Sequence, residues 1–415
     1  MPLMIMNPRI ILRNEPFGGV YFNQINGRMV MVDFEGFFTF IKYLRKSFLN
    51  SKEKEFCDFF FNGNAPSEIE LRVDPTVKFT NNYVAPCTNT PVLIDLSLNN
   101  YCNKRCKYCY MSAVKEDLGN YLSMEDFELL LEKMVKARVL QIALGGGEPT
   151  LHPHFPDILR RLREEGNIIP NYTTNGSNLT REILNASKRY CGAVAVSYSE
   201  ERSREVLEAT KKLLSFNIQT NIHIVLLKSR IPNLAEITEQ FAKLGVSNVV
   251  LLLFKPMGRG VNLTHELIDS GDRKSLSFEL LKILTFKKKY GLRLSIDACS
   301  SFMVKDFPFL PESIEGCTGA IYSAYIDWDL NLKPCSFMQN TQGVSIRNKS
   351  IKDAWNSSLF TSFRNKLLTP RFEGCTHCKF FTSCFSGCSL RPDIVFCEEK
   401  GREINKATLF EEVEI

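Results

Sequence analysis

Residues 100–110 read Asn-Tyr-Cys-Asn-Lys-Arg-Cys-Lys-Tyr-Cys-Tyr, which sets Cys102, Cys106 and Cys109 at the spacing Cys-x3-Cys-x2-Cys. Thiolates held this close on one loop suit an iron–sulfur cluster. Three of them ligate three irons of a [4Fe–4S] cluster and leave the fourth iron open to a small molecule. A structural zinc site takes four closed ligands, and no histidine stands near this loop to complete one. The triplet follows directly on an apolar, β-rich run at 92–98. Barrels of alternating strands and helices carry their chemistry at the C-terminal ends of such strands.

Working outward, further β-rich runs stand at 141–144, 168–172, 193–197, 220–227 and 249–254. Helical patterns separate most of them. The clearest covers 123–137, where Ser123 and Asp126 form an expected capping box and Phe127, Leu130, Leu131 and Met134 share one face. The segments 200–216, 232–244 and 274–290 also read as helices. Alternation of this kind predicts a parallel sheet with right-handed crossovers, and six strands predict an open, partial (βα)6 barrel. After Asp297 the rhythm stops and the chain becomes loop-rich and cysteine-rich.

Residues 1–86 follow a different pattern. Strands at 19–24 and 28–32 flank Ile25-Asn26-Gly27, a hairpin signal, and 34–48 reads as a helix. Phe37, Phe38, Phe40 and Phe59 to Phe61 are expected in the core. The polar stretch 75–91 reads as a linker. The expected domains are therefore 1–86, 87–290 and 291–415.

Composition narrows the function. The chain has 14 cysteines against 5 histidines, with a net charge of +6 spread along its 415 residues. No apolar run is long enough for a membrane span and the N-terminus makes a poor secretory signal, so a cytoplasmic protein with reduced thiols is expected. The dispersed charge argues against nucleic acid. Cys57, Cys87 and Cys191 stand alone and read as small apolar residues.

The cysteine triplet, with Tyr108 before its last cysteine, resembles the signature of the radical S-adenosylmethionine (radical SAM) superfamily. Gly145-Gly146-Gly147-Glu148-Pro149 follows the second strand and resembles that family's Gly-Gly-Glu motif. The resemblance implies that Gly146, Gly147 and Glu148 hold the amino group of SAM. It also implies ribose or adenine contacts from Ser197, Asn221 and Val225, and from Gly258 and Arg259 after the sixth strand. Thr174-Asn175-Gly176 resembles another turn of the family. The implied chemistry is one-electron cleavage of SAM to methionine and a 5′-deoxyadenosyl radical, which takes a hydrogen atom from substrate.

The later cysteines run Cys317-x17-Cys335, then Cys375-x2-Cys378-x5-Cys384-x3-Cys388, then Cys397. This array resembles the SPASM extension of radical SAM enzymes. It departs from the family at Leu330, where a glycine is usual five residues before the second cysteine. The resemblance implies a first auxiliary [4Fe–4S] cluster on Cys317, Cys335 and Cys388, with Cys299 as a candidate fourth ligand. It implies a second on Cys375, Cys378, Cys384 and Cys397. The rival reading is one or two four-thiolate zinc sites.

The hairpin and helix of residues 8–45 resemble the winged-helix precursor-recognition element of peptide-modifying enzymes. An α/β enzyme follows from these resemblances. It would oxidatively modify a ribosomally synthesised precursor peptide by a thioether or a C–C or C–O cross-link. Formylglycine formation, as in anaerobic sulfatase maturases, and peptide epimerisation are the alternatives. The implied partners are the precursor, its leader bound by β-augmentation, and an electron donor such as flavodoxin or ferredoxin. From outside the superfamily, an electron carrier or binding module without SAM chemistry is the competing class.

Overall fold

The first strand, β1 (Ile10–Glu15), buries all six of its residues because both its faces are covered. It pairs antiparallel with β2 (Gly18–Asn23), which pairs antiparallel with β3 (Met29–Asp33). Helices α1 (Phe34–Leu44) and α2 (Ser51–Phe61) follow, and β4 (Ile69–Arg72) returns parallel to β1. The sheet order is β3-β2-β1-β4. Alternation along β1 divides its side chains. Ile10 and Leu12 pack with Phe37, Phe40, Phe60 and Phe61, whereas Ile11 joins the core of the neighbouring barrel. Two of the phenylalanines expected inside are not there: Phe38 is 41% and Phe59 64% exposed. Gly27 closes the expected hairpin at φ 71°.

This computed structural model describes residues 10–61, 68–80, 87–116, 120–297, 316–391, 393, 394, 397 and 401–404. Cys299 lies outside them.

The alternating region forms β5 (Leu93–Ser97), α3 (Met124–Lys136), β6 (Gln141–Gly145), α4 (Phe155–Glu164), β7 (Ile169–Thr174), α5 (Arg181–Tyr190), β8 (Val194–Ser197), α6 (Ser203–Ser215), β9 (Thr220–Leu226), α7 (Leu234–Lys243), β10 (Asn248–Leu253), α8 (Arg273–Tyr290) and β11 (Arg293–Ile296). Neighbouring strands from β5 to β11 pair in parallel and in sequence order. Alternate residues of β9 are buried against the helices, and those between them face into the barrel. Ser123 caps α3 by accepting a hydrogen bond from the Asp126 amide, and the four expected residues of that helix are buried. The reciprocal half of the box is replaced: the Asp126 carboxylate takes two hydrogen bonds from Arg347 instead.

The sheet runs past the boundary expected at 290, since β11 extends it beyond β10. At the other edge β12 (Ser323–Ile326) pairs parallel with β5, and β13 (Asn331–Lys333) and β14 (Val344–Ser345) continue it antiparallel. Three short helices, α9 (Ile351–Trp355), α10 (Ser358–Leu368) and α11 (Phe381–Cys384), complete the C-terminal part. The stretch expected to be a solvated linker is buried at its end. Thr88 and Thr90 are 2% exposed, and the Thr88 carbonyl accepts from Trp355 Nε1 at 2.7 Å.

Leu330 explains how the C-terminal region manages without the expected glycine. It adopts φ 64°, in the left-handed region, and its side chain is fully buried. Asp327 builds the turn around it. Its Oδ1 accepts from the Asp329 and Asn331 amides at 3.1 and 2.9 Å, and its carbonyl accepts from the Leu330 amide at 3.0 Å. Such a backbone costs a leucine about 1–2 kcal/mol, which burial of its side chain offsets.

Candidate active site

Loops at the C-terminal ends of β5 to β10 enclose a cavity of about 470 Å³. Cys102, Cys106 and Cys109 all line it, as do Gly146, Gly147, Glu148 and Ser197. Asn221 does not. It sits near the start of β9, where its Oδ1 accepts from Ser247 Oγ, while His223 and Val225 further along the strand reach the cavity. The pleat permits any odd-numbered position here, and only depth along the strand separates them.

The Cys102 loop and the Gly-Gly-Glu loop are fastened backbone to backbone. The Gly147 amide donates to the Asn99 carbonyl at 2.9 Å, and the Glu148 amide to the Tyr101 carbonyl at 2.8 Å. A Cβ on Gly147 would lie 1.9 Å from the Tyr101 oxygen, and one on Gly146 would lie 2.3 Å from the Asn99 oxygen. Glycine is required here for close approach.

Glu148 is 1% exposed. Its Oε1 accepts from Thr150 Oγ1 and Thr174 Oγ1, both at 2.7 Å, and from the Thr150 amide at 3.3 Å. Its Oε2 accepts only the Asn175 amide among these, at 2.6 Å. Burial raises its pKa, and the hydrogen bonds oppose that shift. A carboxylate offers about four acceptor sites, so Oε2 retains one toward the cavity. Glu148 thus braces the turn after β7 and lines the cavity.

Asn175, from the turn noted after the third strand, and Arg202, which the sequence did not single out, both touch the thiols. Asn175 Nδ2 donates to Cys102 Sγ at 3.7 Å, and Arg202 Nη2 to Cys106 Sγ at 3.8 Å. Arg202 precedes α6 and lines the same cavity, so it presents a guanidinium to any ligand carboxylate there. Arg259 was expected near the ribose or adenine. It lines the cavity, and its Nε and Nη1 donate to the Cys106 and Ala113 carbonyls, which clamps the cysteine loop.

Among the described residues, no three His, Cys, Asp or Glu side chains converge as a single metal ion would need. Cys102, Cys106 and Cys109 nonetheless line one cavity from one loop, an arrangement that suits a cluster, in which each iron takes its own ligand.

The C-terminal cysteines fall into two spatial groups. Burial pushes the Cys317 thiol up to about 12 and raises that of Cys335, and Cys388 adds to both. Burial likewise brings Cys384 to about 11, with Cys375, Cys378 and Cys397 adding to it. Arg371, 1% exposed, feels Cys388, Cys375 and Cys384 and so lies between the groups. Every described cysteine is free; Cys57 sits in the N-terminal core, while Cys87 and Cys191 pack against the barrel core.

Residues 96–239 match the model of the radical SAM superfamily, and residues 317–379 match the SPASM model, an iron–sulfur cluster-binding domain. This chain carries a radical SAM domain and a SPASM domain. It is similar to a tungsten-containing aldehyde ferredoxin oxidoreductase cofactor-modifying protein of Pyrococcus furiosus, at 22% identity over 70% of this chain and 87% of that protein. It is also similar to the mycofactocin maturase MftC of Mycobacterium tuberculosis, at 22% identity over 72% of this chain and 78% of that one. Among solved structures, SuiB of Streptococcus suis bound to precursor peptide SuiA superposes with a TM-score of 0.69 at 16% identity, covering 95% of this chain and 99% of SuiB. The structure of anSMEcpe with bound AdoMet gives 0.60 at 17% identity, covering 75% and 90%.

The radical SAM domain binds a [4Fe–4S] cluster and SAM, and the SPASM domain binds iron–sulfur. The chain is therefore an enzyme whose hardest chemistry belongs to its cofactors. None of its described helices is long and apolar enough to cross a membrane.

The radical SAM cavity has a second wall, built by β5 together with the distant strand β12. Asp95 of β5 stands in register with Tyr325 of β12, whose hydroxyl hydrogen-bonds Ser97 Oγ at 2.8 Å. Burial and then Asp297 raise Asp95 to about 7, and burial lowers His223 to about 4. Asp95 therefore binds a proton more tightly in the folded chain than in the unfolded one. Its contribution to stability is complete below about pH 4 and is lost as pH rises through about 7. Asp95→Asn should stabilise the chain by on the order of 2 kcal/mol near pH 8 and by almost nothing at low pH. Anaerobic denaturant unfolding across that range checks this, and an equal effect at all pH values would exclude it.

Proposed function

We propose that this enzyme oxidatively cross-links a ribosomally synthesised precursor peptide. The observation that carries this reading is the free edge of the N-terminal sheet. Among the described residues β3, like β4 at the opposite edge, has a partner on one side only. Beside it, Phe34, Phe38 and Phe79 form an exposed aromatic cluster with ring centroids 4.3 to 6.0 Å apart. An extended leader peptide would add a strand to that edge and bury those rings. The similarity to SuiB bound to its precursor, over 95% of this chain, supports the same reading. Formylglycine formation gives no role to this unit.

In this proposal Cys102, Cys106 and Cys109 hold the SAM-binding cluster. Gly146, Gly147, Glu148, Ser197 and Arg202 surround SAM. Cys317, Cys335 and Cys388 hold one auxiliary cluster, with Cys299 as the candidate fourth ligand. Cys375, Cys378, Cys384 and Cys397 hold the other. The recognition unit covers 1–86, the barrel 87–290 with β11 added to its sheet, and the SPASM domain the remainder. When bound, cluster and SAM together supply hydrogen-atom abstraction. The protein's part is to orient the peptide in the cavity between the two cysteine regions and to keep water from it. Flavodoxin or ferredoxin in the cytoplasm would supply the electron.

Iron and sulfide per chain after anaerobic reconstitution test the metal assignment. The wild type should hold about 12 irons, and replacing Cys102, Cys106 and Cys109 by alanine should remove about 4. Wild type near about 4, with zinc making up the remainder, would leave the SPASM cysteines structural. The peptide assignment is tested by mass spectrometry of a precursor peptide incubated with SAM and reductant. Loss of two hydrogen atoms with fragmentation showing two residues joined supports it, and an aldehyde located on a single cysteine- or serine-derived residue replaces it.

A further inference from the structure

Between the catalytic cavity and the first SPASM cysteine group lies a buried lysine. Lys255 follows β10, and its side chain is 1% exposed. Its Nζ sits 3.9 Å from the centroid of the Phe337 ring and 4.0 Å from Asp297 Oδ2. Phe337 is two residues beyond Cys335 and stacks on Tyr110 at 4.4 Å and 27°. Tyr110 follows Cys109. One short stack thus joins the loop of the cysteine triplet to the turn that carries Cys335, with an ammonium against one ring. Lys255, Phe337 and Tyr110 all line the cavity. Arg391, just beyond Cys388, donates to the Pro256 carbonyl at 2.8 Å, so the SPASM domain grips the lysine's own loop.

A lysine is seldom buried without negative charge nearby. Asp297 supplies part of that charge. The ring it rests on, Phe337, lies two residues beyond Cys335, which sets the lysine beside the turn that carries that sulfur. A thiolate-ligated cluster becomes more negative on reduction, so a fixed cation beside it favours the reduced form. The same cation is held between Asp297 and an aromatic face, which keeps it from moving away when the cluster's charge changes.

We propose that Lys255 is a positioning residue for the auxiliary cluster of Cys317, Cys335 and Cys388, and that its ammonium raises the reduction potential of that cluster. This rests on the cluster assignment made above. Its failure is separable from that of the assignment, since a chain lacking auxiliary iron would show itself in the wild type.

The test is an EPR-monitored redox titration of the reconstituted full-length protein. It compares wild type, Lys255→Met and Lys255→Arg. In Lys255→Met one cluster should become harder to reduce, with its reduced-to-oxidised ratio at fixed potential falling about tenfold, or 59 mV for a one-electron couple. The other two clusters should keep their potentials, and Lys255→Arg should stay near wild type. Asp297→Asn should move the same cluster the opposite way. Unchanged potentials in a fully iron-loaded Lys255→Met chain would overturn the proposal. So would an equal loss of iron in both Lys255 variants, which would make the lysine a packing residue only.

Discussion

Gly147→Ala should weaken SAM binding by at least about 100-fold, or roughly 3 kcal/mol, and should also reduce loading of the first cluster. The cause is space. The methyl group would fall 1.9 Å from the Tyr101 carbonyl oxygen and 2.4 Å from its carbon, both backbone atoms that cannot rotate away. Tyr101 immediately precedes Cys102. To admit the methyl, the Gly-Gly-Glu loop and the cysteine loop must part, which breaks the bonds from the Gly147 and Glu148 amides to Asn99 and Tyr101. Those two loops must stay in register for one molecule to touch both. Gly145→Ala is the control for folding, because its Cβ would meet nothing within 4 Å and its backbone is not left-handed. That variant should unfold within about 0.5 kcal/mol of wild type. SAM binding by anaerobic equilibrium dialysis decides the matter, and wild-type affinity in Gly147→Ala would refute the role given to this glycine.

The same region shows what the sequence made legible. Cysteine spacing, the glycine run and six apolar strands in order are local patterns, and each survives in the structure near its expected bounds. What was illegible is pairing over long distance. β1 and β4 are parallel neighbours separated by most of the N-terminal region, and β12 joins β5 from more than 200 residues away. Hydropathy records that a strand is buried but not what buries it. β1 hid even its strand character, because Arg13, Asn14 and Glu15 are buried polar residues where alternation would ask for apolar ones. Asn221 and His223 share a parity on β9, so period alone could not choose between them. Phe38 and Phe59 illustrate the converse, aromatic residues left outside where a partner is expected. Leu330 shows that a missing glycine need not mean a missing turn, provided that a neighbouring aspartate takes up the loop amides.

The polar residues of β1 carry the second large expectation. Arg13 and Glu15 are both fully buried and form an ion pair at the junction between the N-terminal sheet and the barrel. Arg13 also donates to the carbonyls of Thr90, Pro91 and Arg138, and Glu15 Oε2 accepts from the Asn89 amide at 2.7 Å. Arg138 lies close enough to Arg13 that its pKa is lowered to about 10, by burial first and by Arg13 next. Glu15 is therefore the carboxylate paired with the buried Arg13 guanidinium, while Arg138 beside it is paired with Asp74 at 3.3 Å. Removing one member of such a pair strands the other, at a cost of about 3–5 kcal/mol. Glu15→Gln should lose about 3 kcal/mol in denaturant unfolding, whereas Arg13→Met combined with Glu15→Gln should lose less than the sum of the single changes. Hydrogen exchange should speed up most in β1 and β2, because the network ties them to the barrel. If β3 receives the leader, that tie fixes how far the bound peptide stands from the cavity. Glu15→Gln should then lower modification of a full precursor more than it lowers SAM cleavage without peptide. Equal losses in both reactions would reduce the network to a fold contact, with no part in delivering substrate.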